Sequence, residues 1–382
     1  MKSAATTTCA LGDVVDLVMG QAPSSKETNF GGRGTPFVKV GEFGEFRPVI
    51  REWTTNPLRM AKRTDVLLCV VGATCGKINL GEDCAIGRSV AAIRPHTSKL
   101  AQFYLYYYMM TLVERLRDGS VGAAQTVISK EMVESVQIPL PSLAEQQRIV
   151  AVLDEAFAGL ATAQAHAEKN LQNARALFES HLHSVFTHRG QGWAEKTLGD
   201  VCEFVGGSQP PKAVFSKTKT PDSIRLIQIR DYKSDNHVVY IPKAQARRFC
   251  TADDIMIGRY GPPIFQILRG LDGAYNVALM KAVPDETQIN REFLFYFLKH
   301  PAILEYVIYH SERAAGQIGV TKETLAPYPI ALPSLDKQAE VAADIDALAA
   351  ETQRLARLYE RKLAALAELK KSLLHAAFSG QL

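Results

Sequence analysis

The feature that most constrains this chain is that it is written twice. Leu11-Gly12-Asp13-Val14, followed by Val18 and Gly20, returns as Leu198-Gly199-Asp200-Val201 with Val205 and Gly207. Val38-Lys39-Val40-Gly41-Glu42-Phe43 returns as Ile227-Gln228-Ile229-Arg230-Asp231-Tyr232, alternating as a strand does. Thr64-Asp65-Val66-Leu67 through Gly72 matches Asp253-Asp254-Ile255-Met256 through Gly261, and Phe103–Tyr107 matches Phe293–Phe297. Gln125–Glu131 aligns with Gln317–Glu323, and Leu140-Pro141-Ser142-Leu143 recurs unchanged as Leu332-Pro333-Ser334-Leu335. The blocks keep their order at a period of roughly 190 residues, too long for a solenoid and suited to a duplicated domain.

After each Pro-Ser-Leu a long helix is predicted. Ser142 is an N-cap and Glu145 completes a capping box; Ser334 repeats the cap with Lys337 in place of the Glu. Apolar residues then recur three and four apart. In the first helix the seam runs through Val150, Leu153, Phe157, Leu160, Ala167, Leu171, Ala174 and Phe178, and in the second through Ile345, Leu348, Thr352, Leu355, Tyr359, Leu366 and Leu369, interrupted at Lys362. Gly190 and Gly380 are the expected stops. Some 44 residues of helix extend roughly 65 Å, and two equal seams in one chain pair most simply with each other, antiparallel under a pseudo-twofold axis.

The expected fold is α+β: a first α/β domain over 1–140, a spacer helix over 141–189, a second α/β domain over 190–331 and a second spacer helix over 332–382. Net charge is +4, with 16 basic and 13 acidic residues in 1–140 and 18 and 15 in 189–331. This mild excess permits nucleic-acid binding without demanding it. The six cysteines form no Cys-x-x-Cys pair, and no apolar run approaches the ~18 residues of a membrane span, which points to a cytoplasmic protein with no membrane partner.

Catalytic signatures are missing. Gly72-Ala73-Thr74-Cys75-Gly76-Lys77-Ile78 is one residue short of a phosphate-binding loop and lacks its Ser or Thr. Neither Pro210-Pro211 nor Pro262-Pro263 has the flanks of an adenine-methylation motif. His181, His183 and His188 fit a solvated helix end better than a metal site. Tyr104–Tyr108 and Phe293–Phe297 read as core rather than base-stacking platforms, and Glu360-Arg361-Lys362 reads as coil surface rather than a nuclease triad.

With the duplication, the Leu-Pro-Ser-Leu starts, the Glu145-Gln146-Gln147-Arg148-Ile149-Val150 helix opening and the terminal Phe378-Ser379-Gly380 in place, the chain resembles the specificity (S) subunits of type I restriction-modification enzymes over nearly its whole length. The departures are Asp336-Lys337-Gln338 where the first copy has Ala144-Glu145-Gln146, and the missing counterpart of Trp193 at the N-terminus. The resemblance implies a non-catalytic subunit whose two domains each read half of a bipartite double-stranded DNA target. Its helices would act as a ruler and dock two methyltransferase (M) subunits, which would bind S-adenosylmethionine; motor-nuclease (R) subunits would complete the restriction enzyme. No metal or cofactor is expected in this chain. A coiled-coil scaffold binding only proteins is the alternative.

Side chains expected at DNA are Gln21, Lys26, Lys39, Arg47, Lys77 and Arg88 in the first domain and Gln209, Lys212, Lys217, Arg230, Arg259, Tyr260 and Gln266 in the second. Cations would bind phosphates and bidentate groups would read base edges. The loops where the repeats diverge, 21–35 against 208–222 and 73–90 against 262–276, predict an asymmetric target.

Overall fold

The computed structural model describes residues 7–118, 127–188, 192–311 and 319–382. Gln125, Thr126, Gly190, Gln317 and Ile318 lie outside the described residues. The chain divides into two compact units, Met1–Glu168 with Glu360–Leu382, and Lys169–Tyr359. Each unit holds one repeat and a stretch of both long helices.

The first unit is built on an antiparallel sheet in the order Val15–Met19, Val90–Pro95, Val66–Cys69, Ile78–Leu80. Its central strands are apolar except for Arg94, because both faces are covered. With the two-residue alternation of a strand, Val66 and Leu68 pack toward the helix Gln102–Asp118, while Leu67 and Cys69 face a core shared with Val38, Phe43 and Ile86 of a second, smaller sheet. That sheet runs Thr28–Asn29, Glu52–Thr54, Thr35–Val38, Cys84–Ile86, Met60–Ala61, with Thr35–Val38 and Cys84–Ile86 parallel.

The second unit repeats this order, short of one full edge strand. Its core sheet is Cys202–Gly206, Leu279–Pro284, Ile255–Gly258, Gln266–Leu268, and its small sheet is Tyr240–Pro242, Ser223–Ile227, Gly273–Tyr275, Phe249–Cys250, again with one parallel pair. The edge strand Thr28–Asn29 is reduced there to a single antiparallel bridge, Ser216 to Tyr240. The repeated Asp also keeps its role: Asp65 is fully buried and takes two 2.9 Å bonds from Arg94, and Asp254 takes the Lys281 ammonium at 3.3 Å. The aromatic runs are core, as expected from sequence: Tyr104 and Phe293 are almost wholly buried.

The long helices span Leu143–Thr187 and Leu335–Phe378. The same glutamine fastens each to its unit. Gln146, fully buried, donates to Lys99 O (2.8 Å) and Pro141 O (2.9 Å) and accepts from Ala101 N (2.9 Å). Gln338 donates to Gln288 O (3.1 Å) and Pro333 O (2.9 Å) and accepts from Asn290 N (2.7 Å). The Tyr107 hydroxyl donates to Asp154 and the Tyr296 hydroxyl to Asp346, a second matched pair. Within each unit the two helices run antiparallel. Lys370 lies 5.0 Å from the Phe157 ring, and Arg148 donates to Leu382 O at 2.9 Å; in the other unit Ala342 and Ile345 share a core with Leu182 and Phe186.

Leu153 and Ile345 are fully buried on the packed face, and Phe157, Leu160, Leu171, Phe178, Leu348, Leu355, Tyr359 and Leu366 are partly so. Leu369 departs from the expected seam: it is 47% exposed, and Leu363 rather than Lys362 turns inward. An α-helix drifts ~20° per heptad against a strict 3.5-residue repeat, so a seam extrapolated over four heptads leaves the packed face. The capping box is also half made. Glu145 N donates to Ser142 Oγ (3.3 Å), but the Glu145 carboxylate bonds Arg148 (2.8 Å). Gly380, at φ +77°, closes the second helix through a bond from Gln381 N to Ala376 O.

Candidate nucleic-acid interface

The repeated glycine after the first core strand lets the chain cross from the core sheet to the small one. A Cβ at Gly20 would stand 2.2 Å from Gly87 O, and one at Gly207 would stand 1.9 Å from Asn276 O, so only glycine fits. Gly20 N donates to Val90 O and Gln21 N to Ile86 O; Gly207 N donates to Leu279 O and Ser208 N to Tyr275 O. The crossing sets Gln21 beside the Gly87–Ser89 turn that carries exposed Arg88, and Lys39 lies against Gly87, its Cγ 3.1 Å from the Cβ position. Gln21, Lys39 and Arg88 are thus gathered at one end of the parallel pair. In the second unit the same place holds Gln209, Gln228 and the Asn276–Val277 turn, with Arg230 one turn further on.

Not all the candidates are available there. Arg47 donates to Arg63 O (3.2 Å) and to Gly81 O, Lys77 to Phe43 O (3.1 Å), and Arg259 to Val320 O (2.9 Å) and Val277 O (3.3 Å). These three brace loops against the core sheet, because a long cation near an unsatisfied turn carbonyl is the nearest donor for it. Lys39 pairs with the buried Glu52 carboxylate. Gln266 donates to Pro263 O (3.0 Å), and Tyr260 is half-buried with the Arg259 guanidinium 5.2 Å from its ring. Gln21, Lys26, Arg88, Gln209, Lys212, Lys217 and Arg230 are exposed.

Positive charge is concentrated in the second small sheet. Residues 207–248, which build most of the second small sheet, carry nine basic and three acidic side chains; the matching 20–61 carries six and four. Eight of the nine are exposed, including Lys219, Lys233, Lys243, Arg247 and Arg248, which sequence reasoning missed. Asp231 is buried, its carboxyl pushed up by burial against the pull of Gln228 N and Arg225, and Asp235 is paired with Arg225 at 2.9 Å. The presenting loop is stiff. Ser216 and Tyr240 exchange two main-chain bonds, Thr218 N donates to Ser216 Oγ (3.0 Å), and Lys243 Nζ holds Pro221 O (2.8 Å). Such a field attracts polyanions and raises their encounter rate.

Reactive groups are few. Burial pushes the Cys84 and Cys202 thiols up to about 12 and Cys250 up to about 11, the state of inert structural cysteines. Among the described residues no three His, Cys, Asp or Glu side chains are grouped to hold a metal, and no helix is long and apolar enough to cross a membrane.

The chain matches the model of the type I restriction modification DNA specificity domain twice, over residues 6–171 and 190–360. A protein of Methanocaldococcus jannaschii provisionally named as the MjaX specificity subunit of a type I restriction enzyme is 34% identical over 135 residues, 35% of this chain and 32% of that one. The chain thus spans about a third of that relative. The EcoBI specificity subunit of Escherichia coli is 21% identical across 98% of this chain and 85% of its own. Among solved structures, a chain from a study of assembly and conformational transition of the type I R-M system superposes with a TM-score of 0.83 at 19% identity, covering all of both chains. The HsdS subunit of Thermoanaerobacter tengcongensis gives 0.61 at 19% identity, covering 98% of this chain and 97% of its own. These two likenesses speak for the fold. The duplicated match over most of the length speaks for the family: the chain belongs to the type I restriction modification DNA specificity domain family.

Proposed function

We propose that this chain is the non-catalytic, DNA-reading subunit of a type I restriction-modification complex. Each unit reads one half of an asymmetric bipartite target; the paired helices set the separation and dock two methyltransferase subunits, to which motor-nuclease subunits add. The observation that carries the reading is the repetition of a unit whose core sheet and helix clamps are kept while its exposed small-sheet loops differ. A shared frame with different loops is what two readers of different half-sites require. DNA reading is favoured over protein scaffolding by the exposed cations of 207–248.

The test is methylome sequencing of cells expressing the chain with its cognate methyltransferase subunit. An asymmetric, gapped adenine motif is expected. The absence of any motif, together with no sequence preference in salt-controlled binding by the purified complex, would leave the scaffold reading standing.

A further inference from the structure

We infer that Phe30 is an aromatic wedge, held out by its loop to contact a base step of the half-site read by the first unit. At 79% exposure it is the most exposed of the large hydrophobic side chains among the described residues, and no ring packs against it. The loop that carries it is not slack. Asn29 Oδ1 accepts from Gly31 N (3.1 Å) and Arg33 N (3.0 Å), and Asn29 Nδ2 donates to Arg33 O (2.8 Å), so one side chain closes the turn over residues 29–33. Gly32 and Gly34 adopt φ of +79° and +96°, where other residues are strained, and a Cβ at Gly34 would stand 2.3 Å from Thr54 O. A chain that fixes a phenyl ring in water at such cost in composition has a use for it outside its own core.

The flanking charge favours DNA as the occupant over an apolar protein surface. Lys26 and Arg33 are exposed on either side of Phe30. Glu27, the lone acid in residues 21–35, is turned inward: its carboxylate accepts from Ser24 N (2.9 Å) and Asn56 Nδ2 (2.8 Å). The loop therefore offers an apolar ring between two cations, the arrangement by which a side chain enters a stack while its neighbours hold phosphates. It follows the edge strand Thr28–Asn29; in the second unit the edge is only the Ser216–Tyr240 bridge, and the stretch after it presents Lys217 and Lys219 instead of an aromatic ring. The two units would then contact DNA by different chemistry, the first by an aromatic wedge and the second by a cationic field.

This inference rests on the DNA-reading function above, and the experiment separates the two. The full chain in complex with its methyltransferase subunits is titrated at fixed salt against its cognate duplex and against duplexes with either half-site scrambled. Phe30→Ala is expected to weaken cognate binding about 10- to 100-fold, the range for removing one aromatic–base stack. Non-specific binding and the salt slope should be unchanged, and the loss should vanish when the first unit's half-site is scrambled. Phe30→Trp should restore affinity, with its fluorescence quenched by cognate duplex alone. Wild-type affinity in Phe30→Ala, equal loss at both half-sites, or failure of the variant to assemble with the methyltransferase subunits would each overturn the wedge. A wild-type complex with no sequence preference would instead remove the DNA-reading function and this inference with it.

Discussion

Gln146→Leu tests whether the repeated glutamine fastens the long helix to its unit. The side chain is fully buried and satisfies three main-chain groups, Lys99 O, Pro141 O and Ala101 N. Leucine fills similar space and satisfies none. Each main-chain group left buried without a partner costs about 1–3 kcal/mol, and the added apolar burial returns about 1–2 kcal/mol, for a net loss of about 1–8 kcal/mol with a midpoint of about 4. For a cooperative unit of this size 1 kcal/mol is worth about 2–4 °C, so Tm should fall by about 10 °C. Thermal unfolding of the full chain reads the shift, and hydrogen exchange locates it. The Ala101 amide should lose protection while Asn290, held by Gln338 Oε1 at 2.7 Å, keeps its own. Gln147→Leu, at an exposed neighbour, is the control. A drop under about 2 °C with Ala101 still protected would refute the clamp.

Other outcomes follow from the same geometry. Lys217→Ser with Lys219→Ser should lower the slope of log K against log salt by about 0.9 for each phosphate no longer neutralised, measured by anisotropy of the full complex, without altering the methylated motif. Removal of facing heptads, Leu160–His166 with Arg361–Ala367, should change the gap of the methylated motif and leave both half-sites as they were; an altered half-site would sink the ruler. The His300 imidazole is held below its usual range first by burial and then by the charge of His183, whose ring stacks on it at 5.1 Å, with the His183 main-chain hydrogen bond and Glu305 pulling the other way. The folded state thus refuses a proton that the unfolded state accepts. Stability should therefore fall as pH drops through about 6.5 toward the depressed value, and His300→Leu should flatten that part of the denaturation profile.

Much of the frame was legible in the residues because duplication supplies its own control. Gly20 and Gly207, Asp65 and Asp254, and Gln146 and Gln338 recur since each answers a local steric or hydrogen-bonding demand that both copies share. The departures came from long-range geometry. Leu369 left the seam because helical drift accumulates over many turns, and the Glu145 carboxylate chose Arg148 over the N-cap.

The interface was less legible. A lysine or arginine reads alike in sequence whether it meets solvent, phosphate or a turn carbonyl, so Arg47, Lys77 and Arg259 were indistinguishable from Arg88 until the loops were placed around them. The same holds for Phe30, one phenylalanine among 16 by composition and the one held 79% exposed by a closed turn. By itself the sequence determined that there are two like units and two long helices, since repetition and periodicity are local and additive. Tertiary structure alone decided which cations are free and which side chains stand in water, because both depend on which main-chain carbonyls and neighbours the fold brings within reach.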